Sequence, residues 1–446
     1  MQFYNREREL ENLAVIQEMS LSEGQMTVLV GRRRIGKTQL LLKSTETQPT
    51  LYFFVTRKAE NMLCRDFVEE IQTKLNIPIG DYSSFGRLFE HLMILAKERP
   101  FNLIIDEFQD FSRINSAVFS EMQKYWDLHK KTSKINLLIS GSIYSLMHKI
   151  FEDKKEPLFS RAGRIINLKA FDVSVLHEIL ADYNPDYNSE DLLALYTFTG
   201  GVAWYVELFM KHKAFTHKAM IRLMSSEDSP FLNEGKNLLI EEFGKDYTIY
   251  FSILECIARG LTTRGEIENH LGQIEIGGYL SRLEKDFSVI AQQRPIFAKP
   301  SSKQVRYNID DNFIAFWFRF IYKYQNFIEA GSFALLEEVI RRDYSTFSGI
   351  MLERCFKAQY KESGRYTNLG RFWDRKGENE IDLIAVNELD RTVEFVEIKR
   401  NPARINLKEL ETKAAYFLQH TKECKGYTIL YKGLSLEGIK SNRKIV

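Results

Sequence analysis

A chain of 446 residues is too long for one hydrophobic core and, at about 150 residues per domain, leaves room for roughly three. Its 44% hydrophobic and 27% charged residues exclude a disordered protein, and no apolar run approaches the ~18 residues that a membrane span needs. A net charge of +2 gives no general attraction for polyanions, so any basic surface must be local.

The opening MQFYNREREL has neither a secretory apolar core nor a transit-type composition. Cys64, Cys256, Cys355 and Cys424 form no paired or metal-like spacing. Both observations point to a reducing cytosol, so a cytoplasmic location is expected. Asn5 is placed to cap a first helix, with Glu7 and Glu9 in its first turn and Leu10, Leu13 and Ile16 on one face.

An apolar strand at 26–30 then enters Gly31-x-x-x-x-Gly36-Lys37-Thr38 and leaves into a helical pattern, the signature of a phosphate-binding loop. Glycines at 31 and 36 let successive backbone N–H groups point inward at a phosphate that side chains would block. The helix start adds its positive dipole end, Lys37 supplies a mobile cation for β and γ phosphates, and the Thr38 hydroxyl completes a magnesium shell. The expected nucleotide-binding residues are Gly31, Arg32, Arg33, Arg34, Ile35, Gly36, Lys37, Thr38 and Gln39, with the three arginines forming a solvated basic rim.

A second buried strand follows at 51–55, then helices at 60–75 and 85–97, the latter ended by Pro100. The apolar run 101–105 passes straight into Asp106-Glu107. A carboxylate at the carboxyl end of a parallel strand faces the ligand crevice, so Asp106 is expected to hold magnesium and Glu107 to orient or deprotonate the attacking water. The strand 135–139 ends in Ser140-Gly141-Ser142. Those hydroxyls either sense the γ-phosphate and position water, or cap the helix that starts near Ile143. Arg161 precedes a fifth strand at 165–168. It is either a surface residue or one that stabilises transition-state charge, within one chain or across a subunit interface.

GRRRIGKT, LIIDEFQD, LLISGS, PLFSR and TGGVAWYVELF together resemble the prokaryotic AAA-like ATPases of the STAND-related group, in which an archaeal-type ATPase module precedes a winged helix and a nuclease-like tail. The resemblance runs over most of the chain. It implies a five-stranded parallel sheet, a small helical lid, and ATP with Mg2+ as cofactors. It also places Ser142 or Ser140 at the sensor position and Arg161 at the arginine finger. One departure is that the Gly-Gly-x-Pro of such lids reads Gly200-Gly201-Val202-Ala203 here, without the proline expected at the base contact.

Residues 172–224 are helical by period, with breaks at Asn184-Pro185 and Gly200-Gly201. From about Phe243 the pattern gives a helix at 249–258, a Thr263-x-x-Glu266 capping box opening a short helix, a third helix at 278–286, and a hairpin at 287–298 and 303–309. That order spells a winged helix-turn-helix. Its third helix, with Arg282 and Lys285 outward, either enters a DNA groove with Lys299, Lys303 and Arg306 on phosphates, or packs as a lever on the ATPase. The aromatic run at 313–318, continued by Phe320 and Tyr322, is too dense for base stacking and too short for a membrane, so core packing is expected.

In the last hundred residues, Glu353 lies in a helical stretch and strands are expected at 380–385 and 392–399. Period two puts Glu397 and Lys399 on one face of the second strand, and Asp382 stands on the first. Two carboxylates on adjacent strands could bind magnesium, and the lysine would stabilise charge on the attacking water or phosphate. The set resembles the PD-(D/E)XK restriction-endonuclease-like fold, with Asp382, Glu397 and Lys399 at its metal-site positions and Glu353 at its helix position.

The expected architecture is α/β: a P-loop AAA-like ATPase domain at 1–171, a helical lid at 172–242, a winged helix-turn-helix at 243–325, and a linker helix with a nuclease-like domain at 326–446. Two functions stay open. One is an ATP-hydrolysing enzyme coupling nucleotide state to a DNA-binding or DNA-cutting tail; the other is an ATP-driven signalling or scaffolding switch whose tail recognises without cutting. The partners in view are DNA, through the winged helix and tail, and a protein partner or second copy of the chain, but no membrane.

Overall fold

The computed structural model describes residues 3–243 and 247–440, which pack as two compact units, Phe3–Lys169 and a second from Ala170 onward. Strands β1 (Gln25–Val30), β2 (Thr50–Phe54), β3 (Phe101–Asp106), β4 (Ile135–Ser140) and β5 (Arg164–Asn167) form one sheet in the order β2-β3-β4-β1-β5. Every neighbouring pair is parallel. The runs of β3 and β4 are apolar with hardly a break, and both strands are buried along their whole length. Parallel sheets bury both faces under crossover helices, which is why these strands do not alternate. Phe53 stacks on Phe67 of the helix Glu60–Leu75 with ring centroids 4.2 Å apart, and Phe85, Phe89 and Trp126 close the same core.

Because all five strands run the same way, their carboxyl ends share one edge, where Gly31, Asp106 and Ser140 follow or end β1, β3 and β4. One expectation is corrected here. The first helix is Glu7–Ser20 and its cap position is Arg6, which makes no side-chain cap bond. Asn5 lies one step earlier in left-handed backbone (φ 48°), a conformation asparagine tolerates better than most residues.

In the second unit, helices Val173–Tyr183, Ser189–Thr199 and Ala203–Lys211 are separated at the two breaks read from the sequence, and a third break, not foreseen there, precedes His217–Ser225. Gly201 holds φ 78°, and a Cβ there would sit 2.1 Å from the carbonyl oxygen of Phe171. Gly200 is also left-handed, at φ 55°, but its nearest atom would be 3.4 Å away. Alanine at 200 should therefore cost only the left-handed penalty of about 1–2 kcal/mol. Gly201→Ala adds a backbone clash and should melt several degrees lower by calorimetry; equal midpoints would mean that the Phe171 backbone yields freely.

Three helices, Tyr247–Ala258, Arg264–His270 and Gly277–Lys285, precede an antiparallel pair, β6 (Ile290–Gln293) and β7 (Arg306–Ile309). The capping box is made: Thr263 Oγ1 accepts from the Glu266 N–H, and Glu266 Oε2 accepts from the Thr263 N–H. The paired strands are shorter than the expected hairpin. Pro295 and Pro300 in the connection lack the N–H that a ladder needs.

The aromatic run forms the helix Asn312–Phe316 and a π-helical turn, Trp317–Tyr322. Phe313, Phe316, Trp317, Phe318 and Phe320 are buried, with Phe316 against Phe198 and Phe347, so the run is core. A 30-residue helix, Phe333–Glu362, then leads to β8 (Asn368–Trp373), β9 (Glu380–Asn387), β10 (Thr392–Lys399) and β11 (Thr428–Ser435). They order as β11-β10-β9-β8, with β10 and β11 parallel and the other pairs antiparallel. Among the described residues no helix is long and apolar enough to cross a membrane.

Candidate nucleotide site and carboxylate pocket

Gly31 (φ 150°) and Gly36 (φ 96°) bracket the turn after β1, and a Cβ on Gly31 would lie 2.6 Å from the Leu168 carbonyl. Gly36 is the cap of the helix Lys37–Ser44. Lys37 is buried and folds back across the loop, donating from Nζ to the carbonyls of Gly31 (2.9 Å) and Arg32 (3.0 Å). Ile35 is buried, Arg32, Arg33 and Arg34 are half-buried, and Gln39 is exposed.

Both oxygens of Asp106 are occupied. Thr38 Oγ1 donates to Oδ2 at 2.7 Å and the Tyr52 hydroxyl to the same atom at 3.0 Å. Ser140 Oγ and the Glu107 N–H donate to Oδ1. Burial, and after it the charge of Asp106, raises the pKa of Tyr52, which keeps its hydroxyl a donor. Glu107 sits in left-handed backbone (φ 55°), where a residue with a Cβ is uncommon, and marks the turn off β3. Its Oε2 accepts from Ser142 Oγ (2.6 Å) and from Gln109 Nε2.

That contact overturns the helix-cap alternative for Ser142. The next helix, Tyr144–Glu152, has Ile143 at its cap position and no side-chain cap bond. Tyr52 and Gln109 were missed in the sequence. Tyr52 is a polar group among the apolar residues Leu51, Phe53 and Phe54, and Gln109 stands two residues after Glu107; both signals are faint without the strand register.

Arg161 requires a correction. The Gly163 N–H donates to the Met26 carbonyl, and Arg164 pairs with Thr27, so Arg161 lies at the amino-terminal end of β1. The phosphate loop begins five residues later, at the other end, roughly 15 Å along a strand. Arg161 itself is held by Asp127 (3.1 Å) and by the Phe159 carbonyl (2.8 Å). A role on the phosphates of its own chain is excluded by this topology.

Residues 3–209 match a family described as an ATPase domain predominantly from Archaea, and residues 317–413 match one described as archaeal and bacterial proteins of unknown function. An uncharacterized protein of Methanocaldococcus jannaschii is 32% identical over 424 residues, 93% of this chain and 90% of that one. The chain belongs to this archaeal-type ATPase family. Among solved structures, the Walker-type ATPase of Pyrococcus abyssi is similar with a TM-score of 0.53 at 21% identity, covering 71% of this chain and 96% of that one, a likeness of fold. The ORC2 protein of Aeropyrum pernix, solved with ADPNP and ADP, gives a TM-score of 0.47 at 16% identity, covering 74% and 96%.

The second unit of the ATPase holds another cluster, in a cavity of about 310 Å³ lined by Glu353, Arg371, Glu380, Asp382, Glu397 and Lys399, among others. β9 and β10 are antiparallel neighbours, with Leu383 opposite Val396. Lys399 Nζ lies 3.0 Å from Asp382 Oδ2 and 3.3 Å from Glu397 Oε1. The Ile398 N–H donates to Asp382 (2.8 Å) and the Asn406 N–H to Glu397 (3.2 Å). Burial disfavours the Lys399 charge, but Asp382 and Glu397 together hold its pKa above the ordinary lysine value.

Glu353, from the long helix, pairs with Arg371 at 2.9 Å. Burial pushes its carboxyl up to about 7, with Arg371 pulling the other way. Arg371 also pairs with Glu380, 2.9 Å away. Glu380 lies two residues before Asp382 in β9, a period-two signal that the sequence offered; Arg371 had none, because β8 was not foreseen. Among the described residues no three His, Cys, Asp or Glu side chains converge in metal-binding geometry. The donor set is two carboxylates sharing one ammonium, which suits a hard cation that keeps most of its water.

Arg282, Lys285, Lys299 and Lys303 are exposed, as a phosphate-facing role would need. Arg306 is not available for one. Its Nη1 donates to Glu380 (2.8 Å) and its guanidinium lies 4.5 Å over the Trp373 ring.

Proposed function

We propose that this ATPase uses magnesium-bound ATP to drive a carboxyl-terminal unit that acts on DNA through a winged helix and a nuclease-like pocket. On the nucleotide side, Lys37 exchanges its loop carbonyls for β and γ phosphate oxygens, while Thr38 and Asp106 hold the metal. Glu107, aimed by Ser142 and Gln109, takes the proton of the attacking water. The hydroxyl and carboxylate oxygens of Thr38 and Asp106 are the hard donors that magnesium prefers, and the ion when bound neutralises phosphate charge. An arginine-finger role for Arg161 then requires a second copy of the chain.

The observation that carries the tail reading is the position of Lys399, whose ammonium is shared by carboxylates from two antiparallel strands inside a cavity. Such a pair repels itself unless a cation lies between its members. With magnesium held by Asp382 and Glu397, Lys399 is freed to stabilise charge on the attacking water or phosphate. The Lys399 contacts also favour a second reading, in which the lysine neutralises both carboxylates permanently and the tail recognises without cutting. Incubating the purified protein with single-stranded, duplex and branched DNA in Mg2+ or Mn2+ decides between them. Cleavage supports the first reading; no cleavage, with no metal-dependent gain in melting temperature that Asp382→Ala removes, supports the second.

Tyr52 supplies a further test. It orients the Asp106 oxygen, and removing such a partner typically costs 10–100-fold in metal affinity or activity. Tyr52→Phe should raise the Mg2+ concentration for half-maximal ATP hydrolysis about tenfold. An unchanged magnesium curve would remove Tyr52 from the site.

A further inference from the structure

A second, larger cavity of about 730 Å³ lies in the same unit as the carboxylate pocket. One wall is the β6–β7 connection, with Ser301, Ser302 and Lys303, and the other is the β8–β9 turn, with Arg375 and Lys376. Lys303, Arg375 and Lys376 are exposed. The lining carboxylate, Asp374, is turned into its own loop, where it accepts from the backbone N–H groups of Lys376 and Glu378 and from the Asn379 side-chain amide. The groove therefore presents three cations and two serine hydroxyls.

Its two walls are tied together. The Ile296 N–H, in the β6–β7 connection, donates to the Arg371 carbonyl of β8 at 2.8 Å. Arg306 bonds Glu380 and covers Trp373, so it fastens β7 to both β8 and β9. Glu380 lines the carboxylate pocket, so Arg306 on the groove side is bonded to a residue of the pocket that holds Asp382, Glu397 and Lys399.

We infer that this groove binds the sugar-phosphate backbone of a duplex nucleic acid and feeds it to the carboxylate pocket. The inference rests on the nucleic-acid reading of the tail but not on cleavage. Cations with hydroxyls are the groups that position a nucleic-acid backbone without reading its bases. A single-strand binder would show an exposed aromatic platform. Here Trp373 is only 5% exposed and lies under Arg306. An acidic protein partner would need an apolar anchoring pocket, which a lining dominated by Ser, Lys, Arg and Gln does not offer.

The test is fluorescence anisotropy with a labelled duplex in EDTA, so that no cutting contributes, between 50 and 200 mM salt. Neutralising Lys303, Arg375 and Lys376 together to Ala should lower the slope of log affinity against log salt by about three and weaken binding on the order of a hundredfold near 0.1 M. The circular dichroism spectrum and melting temperature of that variant should match the parent chain, which checks the folding of the unit that carries all three residues. DNA and RNA duplexes as separate arms tell which nucleic acid is preferred; tighter binding of single strands or of polyglutamate overturns the inference. So does an unmoved slope in the triple variant, above all if Arg282→Ala with Lys285→Ala moves it, because the third helix would then be the contact. Metal-dependent cutting that Asp382→Ala abolishes, alongside an unmoved slope, would remove the groove and leave the proposed tail function standing.

Discussion

Lys37→Ala should lose ATP binding, whereas Glu107→Gln should bind ATP like the parent chain and hydrolyse it about 10²–10⁴-fold more slowly. The roles proposed for the two residues differ. Lys37 is buried inside the turn, bonded to the Gly31 and Arg32 carbonyls. Among the described residues, the Glu107 side chain accepts from Ser142 and Gln109. Glutamine keeps the shape and an acceptor oxygen while removing the base. Calorimetric titration with ATP and a phosphate-release assay separate the two outcomes. Equal loss of binding in both variants would mean that Glu107 helps to hold the nucleotide, and the division of roles would fail.

The other large effect belongs to the tail. If the carboxylate pocket is catalytic, Asp382→Ala or Lys399→Ala should abolish DNA cutting and leave ATP hydrolysis intact, because the phosphate loop belongs to the separate unit Phe3–Lys169. Asp382 receives both Lys399 Nζ and the Ile398 N–H, so its loss removes one of the two carboxylates that share the Lys399 ammonium. Binding of the metal alone is measurable too. At a hundred times its dissociation constant a bound ion stabilises the fold by about 2.7 kcal/mol, and the Asp382 variant should not gain it. Cutting that survives in either variant would locate the chemistry elsewhere.

Much of the first unit was legible in the sequence. A buried parallel strand is a run of apolar residues, so the strands could be read directly, and with them the turn of Gly31 and Gly36 after β1, the helix opening at Lys37 and Thr38, and Asp106 at the end of β3. Arg161 could not be placed, because only the pairing of β5 with β1 reveals which end of the sheet it occupies. In the tail, β9 and β10 were legible and their neighbours were not. β8 carries Gly370 and an irregular register between Gly370 and Phe372. The first four residues of β11 are exposed on both faces, which erases the alternation that marks a strand. Arg306 read as a phosphate contact because its partners, Trp373 and Glu380, lie about seventy residues further along the chain.

The helix Phe333–Glu362 has a mechanical consequence. At 1.5 Å per residue its 30 residues make a rod about 45 Å long. Ser348, near its middle, accepts from Arg400, which also pairs with Glu190 in the helix Ser189–Thr199. At the far end, Glu362 accepts from the N–H groups of Val173 and Ser174, the opening turn of another helix. A tilt of about 5° about one end would carry the other some 4 Å, by the geometry of a stiff lever of that length. Glu353 rides on the far third of that arm. The helices of 173–199 are thereby joined through one continuous rod to a carboxylate that lines the 310 Å³ cavity.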